Sequence, residues 1–100
     1  MLRYNDGDHI MLQIENYIGG ELVAPASRAY LDNFDPSTGE VYSQIADSDD
    51  RDVHLAVEAA RVAFPAWSET SAEERHDIMM RIVQLIERDL EPLALAESID

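Results

Sequence analysis

The hydrophobic period of this chain changes once, near residue 47, and that change decides its architecture. As far as Ile45, apolar residues fall in short β-branched and aromatic runs parted by turn-forming clusters. From Val53 onward they recur every three or four positions. Period two ahead of period 3.6 predicts strands first and helices after them, an α/β chain. With 100 residues there is room for one small domain at most.

The strand half contains two hairpin signals. Ile14, Tyr17 and Ile18 precede Gly19-Gly20, and Leu22 and Val23 follow. A Gly-Gly pair takes the positive φ values that two-residue primed turns require. The second signal joins Tyr30–Phe34 to Val41–Ile45 through Asp35-Pro36-Ser37-Thr38-Gly39-Glu40. There Pro36 pre-sets φ at the first corner, Asp35 reaches forward to free N–H groups, and Gly39 returns the chain. Residues 1–12 read as a loose polar tail ahead of the domain at 13–100, with Met11 an alternative start. Asn5-Asp6-Gly7-Asp8 resembles the opening of a calcium loop, but the closing bidentate Glu is missing.

In the helical half, Val53, Ala56, Val57, Ala60, Ala63 and Phe64 share one helix face, with Asp47, Asp49 and Asp50 at its positive end. Pro65 is expected to end this helix, because proline cannot extend the ladder and disfavours α conformation at Phe64. That leaves Trp67 in a linker, as an anchor between successive helices. Ser71-Ala72-Glu73-Glu74 has the form of a capping box and predicts a long second helix. Its apolar stripe runs through Ile78, Met79, Ile82, Val83, Leu85, Ile86 and Leu90. Pro92 is a plausible first residue of a short third helix. Asp100 follows no capping glycine and no breaking proline, so the sequence reads as cut in mid-pattern.

Composition excludes several functions. Seven basic residues, all Arg, against 21 Asp plus Glu give a net charge of −14, which opposes nucleic acid and anionic lipid. With no cysteine, the chain has neither a disulfide framework nor a thiol nucleophile of its own. No apolar run approaches the roughly 20 residues of a membrane span, and the N-terminus has no signal-peptide core, so a cytoplasmic protein is expected. The 46% hydrophobic content is near globular averages and predicts a buried core. His9, His54 and His76 have no metal-ligand spacing, and glycines at 7, 19, 20 and 39 form neither Gly-x-Gly-x-x-Gly nor a P-loop. Adjacent carboxylates are inevitable at this acid content and identify no acid–base pair.

The order of landmarks carries more than any one of them. Asn16-Tyr17-Ile18-Gly19-Gly20-Glu21, then Asp35-Pro36-Ser37-Thr38-Gly39-Glu40-Val41, then Ala56-Val57-Glu58-Ala59-Ala60-Arg61-Val62-Ala63-Phe64, then Trp67 and Glu74-Arg75 together closely resemble the N-terminal region of the NAD(P)-dependent aldehyde dehydrogenase superfamily. The resemblance covers about residues 13–100. It implies the first portion of a discontinuous cofactor-binding domain, two β-hairpins followed by α-helices, incomplete as a fold. It also implies that the catalytic cysteine, the general-base glutamate, the oxyanion-hole asparagine and the contacts to NAD or NADP lie beyond position 100. This chain would then carry no catalytic or cofactor-binding residue. Some members hold a structural monovalent cation, and the matching ligands here are the backbone carbonyl of Asn33 or Phe34 and the side chain of Asp100. The Ile14–Ala46 region is most similar to members that oxidise muconic semialdehydes. For a complete enzyme the resemblance implies a homo-oligomer acting on an aldehyde: a cysteine thiolate attacks it, hydride passes to the nicotinamide, and water releases the acid. The alternatives are a free-standing acidic module that binds itself or a basic partner, and a short chain complementing a separately encoded remainder.

Overall fold

The protein's structure, a computed structural model, describes the backbone of residues 2–6 and 9–100, with side chains from Met11 onward. Six strands precede three helices: β1 Leu2–Asp6, β2 His9–Ile14, β3 Asn16–Ile18, β4 Glu21–Val23, β5 Tyr30–Phe34, β6 Val41–Ala46, α1 Asp50–Ser68, α2 Ala72–Arg88 and α3 Leu90–Ile99. The chain divides into two compact units, Met1–Val62 and Ala63–Asp100.

The first unit contains both expected hairpins. β3 and β4 pair from Asn16↔Val23 to Ile18↔Glu21, leaving Gly19-Gly20 as a two-residue turn. Their φ values of 62° and 89° are the left-handed pair a primed turn needs. β5 and β6 pair antiparallel from Tyr30↔Ala46 to Phe34↔Val41, with a bulge between Asn33 and Phe34. In the connecting loop, Asp35 Oδ1 accepts from both the N–H and the hydroxyl of Ser37, each at 2.7 Å. The Asp35 carbonyl accepts from Gly39 N–H at 2.8 Å, and Gly39 has φ 75°.

What the sequence reading lacked is the rest of the sheet. Leu2–Asp6 and His9–Ile14, within and just beyond the stretch read as a tail, are an antiparallel strand pair. β2 also lies parallel to β6, giving the order β1-β2-β6-β5. Gln13 and Ile14 therefore belong to this sheet, and the Gly-Gly hairpin begins only at Asn16. Gly7 and Asp8, central to the calcium-loop resemblance, lie outside the described residues. Parallel pairing joins segments far apart in sequence, so no local turn signal announces it.

The helix α1 starts on a reciprocal acid pair. Asp49 Oδ1 accepts from Arg51 N–H at 2.9 Å, and Asp52 Oδ2 accepts from Asp49 N–H at 2.9 Å. Asp49 thus caps the second N–H of the helix, while Asp52 reaches back to the N–H of the capping residue, one half of a capping box. The other oxygen of Asp52 accepts from Ala26 N–H at 2.9 Å, tying the loop after β4 to the helix start.

In the second unit α1 does not stop before Pro65. The helix continues through Pro65 to Ser68, because a proline in the last turn removes one ladder bond without having to support further turns. Ser68 Oγ donates to the Pro65 carbonyl at 2.8 Å. Trp67 is therefore helical rather than part of a linker. The capping box of α2 is complete: Glu74 N–H donates to Ser71 Oγ at 3.1 Å and Ser71 N–H to Glu74 Oε2 at 2.7 Å. α3 starts at Leu90 with Asp89 as its N-cap, which makes Pro92 its third residue, not its first. The third N–H of a helix has no intrahelical acceptor, so proline is tolerated there as well.

The expected hydrophobic core is absent among the described residues: Pro25 is the one apolar side chain buried there, beside the polar Ser43 (0% exposed) and Asp52 (3%). Val53, Val57 and Phe64, which share the apolar face of α1, are exposed. A chain this short that forms elements without covering them is, as expected, a partial fold.

Candidate functional site

A polar cluster is built where the loop after β4 meets the start of α1. Asp52 is held there by its two backbone donors, and Asp49 is paired with Arg51 at 2.7 Å. The Arg51 guanidinium and then its N–H hold the Asp49 carboxyl below its usual range, and the same pair raises Arg51. Asn16 and Ser48 exchange hydrogen bonds, Asn16 Nδ2→Ser48 Oγ at 2.8 Å and Ser48 Oγ→Asn16 Oδ1 at 3.0 Å, linking β3 to the segment before the helix. A shallow groove of about 220 Å³ runs beside these groups, walled by Tyr17, Ile18, Val53 and Ala56.

This constellation organises backbone rather than reacting groups. The hydroxyl in it, Ser48, donates to an amide oxygen rather than to a base, so no activated nucleophile is formed. Its buried carboxylate already accepts two N–H groups. Elsewhere, His76 Nδ1 and Asp77 Oδ1 are 3.3 Å apart on the exposed surface of α2, with neither oriented by a third group. His54 is exposed on α1. Among the described residues no group of three or more His, Cys, Asp or Glu side chains is arranged to hold a metal.

A dinucleotide needs backbone N–H groups at a glycine-rich helix start. Gly19, Gly20 and Gly39 all lie in hairpin turns, and the helices begin after Asp49, Ser71 and Asp89. None of these described glycines lies at a helix start of that kind. Trp67 is likewise engaged by the protein itself: the Arg75 guanidinium sits 5.3 Å from its ring centroid. Arg75 also donates to Thr70 Oγ1 at 2.8 Å and to the Trp67 carbonyl at 3.0 Å. This clamp gives Trp67 the anchoring role between helices that its sequence position suggested.

Of the two residues matched to a cation site, Phe34 ends β5 beside the bulge, and Asp100 closes α3 with its N–H donating to the Ala96 carbonyl at 3.2 Å. They belong to different units of the chain. Sequence reasoning missed Asp52. Its signal was available in Asp49-x-x-Asp52, an acid three residues after a capping acid.

Strand hairpins followed by helices, joined by the polar ties above, describe part of an α/β fold. The profile of the aldehyde dehydrogenase family matches residues 22–100, and the chain belongs to that family. It is 49% identical over 90 residues to 2-aminomuconic semialdehyde dehydrogenase of Bos taurus, and 46% identical over 94 residues to the Mus musculus protein of that name. These alignments cover 90% and 94% of this chain but 18% and 19% of the relatives. A Sinorhizobium meliloti chain solved in complex with NAD superposes with a TM-score of 0.85 at 35% identity, over 89% of this chain and 18% of that one. The chain thus spans about a fifth of the length of the proteins it matches.

Proposed function

We propose that this chain is the N-terminal structural segment of an NAD(P)-dependent aldehyde dehydrogenase that oxidises a semialdehyde of the muconic type to a carboxylic acid. The observation that carries the reading is the 49% identity to a 2-aminomuconic semialdehyde dehydrogenase across 90 of the 100 residues. NAD is the cofactor favoured, since a superposing chain was solved with it. In this reading the cofactor is bound by the remainder of the enzyme, and no step of the oxidation is assigned to this segment. Their contribution is scaffold: hairpins, capped helices and an acidic surface.

The complete enzyme is read as a cytoplasmic homo-oligomer. No helix among the described residues is long and apolar enough to cross a membrane, and the net charge of −14 disfavours nucleic acid. The same reading keeps the carbonyl of Asn33 or Phe34 and the carboxylate of Asp100 as ligands of a structural monovalent cation. Both are hard oxygen donors of the kind such a cation takes. Asp100→Ala in the full-length enzyme is expected to remove any dependence of its melting temperature on sodium or potassium.

The activity is tested by expressing the full-length polypeptide that carries this segment and following reduced nicotinamide with a muconic semialdehyde, using NAD and NADP separately. Turnover by the full-length protein and none by residues 1–100 alone is the expected result. Turnover by the isolated segment, or none by the complete protein with any aldehyde offered, would sink the reading.

A further inference from the structure

Met80 stands on the polar side of α2. The apolar stripe of that helix runs through Ile78, Met79, Ile82, Val83, Leu85 and Ile86. The opposite arc carries Glu73, His76, Asp77, Arg81, Gln84 and Glu87, and at 3.6 residues per turn Met80 falls among them. Methionine ordinarily fills gaps in apolar cores, whereas this side chain is 43% exposed on the charged arc. What it has beside it is an imidazole. His76 precedes it by one helical turn, and long helical side chains lean back toward the turn before their own. Both residues line a groove of about 380 Å³, together with Asp77, Arg81 and Gln84.

The neighbouring carboxylate settles which imidazole nitrogen is open to a ligand. His76 Nδ1 lies 3.3 Å from Asp77 Oδ1. In the tautomer that donates Nδ1–H to this carboxylate, Nε2 keeps its lone pair, and such a partner raises the basicity of a ligating histidine. The three histidines have no metal spacing relative to one another, but His76 with Met80 is a different donor set, one nitrogen and one soft sulfur. Thioether sulfur selects Cu(I), whereas calcium and magnesium take oxygen. Charge points the same way: the Arg81 guanidinium in the groove opposes a divalent ion about twice as strongly as a monovalent one.

We propose that His76 Nε2 and Met80 Sδ form a surface site for monovalent copper, with Asp77 holding the imidazole in its binding tautomer. All three residues belong to one helix, so the donor set is complete within this segment and does not depend on the aldehyde oxidation proposed above.

The test uses the full-length polypeptide that carries this segment, with its thiols carbamidomethylated because thiolates bind copper themselves. The protein is dialysed anaerobically against Cu(I) kept in solution by acetonitrile, and the copper retained per chain is measured. Met80→Leu and His76→Gln are each expected to retain one ion fewer than the parent, and Asp77→Asn to bind that ion about tenfold more weakly. The three side chains are exposed, and circular dichroism confirms that the variants keep the fold. A second measurement needs no substitution in the protein observed: Ag(I), a redox-inert ion of the same charge and softness, is added to protein labelled at its methionine methyls, and the Met80 resonance is expected to move. Copper retention unchanged in both variants places the ion elsewhere and overturns the proposal. Loss in His76→Gln but not in Met80→Leu, or tighter retention of Zn(II) than of Cu(I), makes this an imidazole site without the thioether and overturns it too. So does a Met80 methyl that stays where it was.

Discussion

Asp52 and Ser43 are both buried and polar, and hydrogen bonding gives them opposite values to the fold. Asp52 satisfies two backbone donors, Ala26 N–H and Asp49 N–H. Replacing it by alanine strands both, at a cost of about 1–3 kcal/mol for each donor that water does not reach. Asp52→Asn keeps the shape and one acceptor and is expected to lose less. Ser43 is fully buried and its Oγ has no hydrogen-bond partner, so Ser43→Ala is expected to be neutral or stabilising by up to about 1 kcal/mol. Urea denaturation of the full-length protein ranks the three variants; a Ser43→Ala protein less stable than Asp52→Ala would reverse this assignment. Neither role was legible in sequence beyond the acidic cluster. Burial is decided by which strand neighbours which, and β6 becomes an interior strand only through its non-local parallel partner β2.

At the scale of elements, legibility follows locality. The Gly-Gly hairpin, the Asp-Pro-Ser-Thr-Gly turn and the Ser71–Glu74 box are written within six residues each, and the structure contains all three. The end of α1 was misjudged because a proline's cost depends on how many turns follow it, and here less than one does. The candidate cation ligands were the least legible: a backbone carbonyl leaves no side-chain signature, and Asp100 is one acid among 21 acidic side chains. The α2 cap supplies two predictions. Ser71→Ala removes the acceptor of Glu74 N–H and is expected to cost about 1 kcal/mol. Hydrogen bonds from the Ser71 backbone and hydroxyl hold the Glu74 carboxyl below its ordinary value of 4.5. A depressed folded pKa stabilises fully above the unfolded value, and the contribution is lost as pH falls below 4.5 and through the folded value. Protection of the first-turn amides of α2, taken relative to their intrinsic exchange rate at each pH, is therefore expected to fall as the solution is acidified through that range. In Glu74→Gln, which keeps an acceptor oxygen but does not titrate, this pH-dependent loss of protection is expected to vanish.

Across the whole molecule, the apolar side chains left exposed among the described residues and the acidic surface act against each other. Large apolar side chains stay exposed from Ile14 on the sheet to Leu95 on α3, and contiguous exposed apolar area favours association. Opposing it is a net charge of −14 at neutral pH, whose reach shrinks to about 10 Å in 0.1 M salt. The isolated hundred-residue chain is therefore expected to stay dispersed at neutral pH and low salt, and to associate either when salt is added or when the pH nears its isoelectric point of about 4.2. Light scattering across a salt series and a pH series distinguishes the causes. If charge is what restrains association, both series raise the scattering, and the salt effect disappears at the isoelectric point, where there is little net repulsion left to screen. A chain that scatters as a monomer throughout both series would have its apolar faces covered from within, and the partial fold described here would be the wrong account of it.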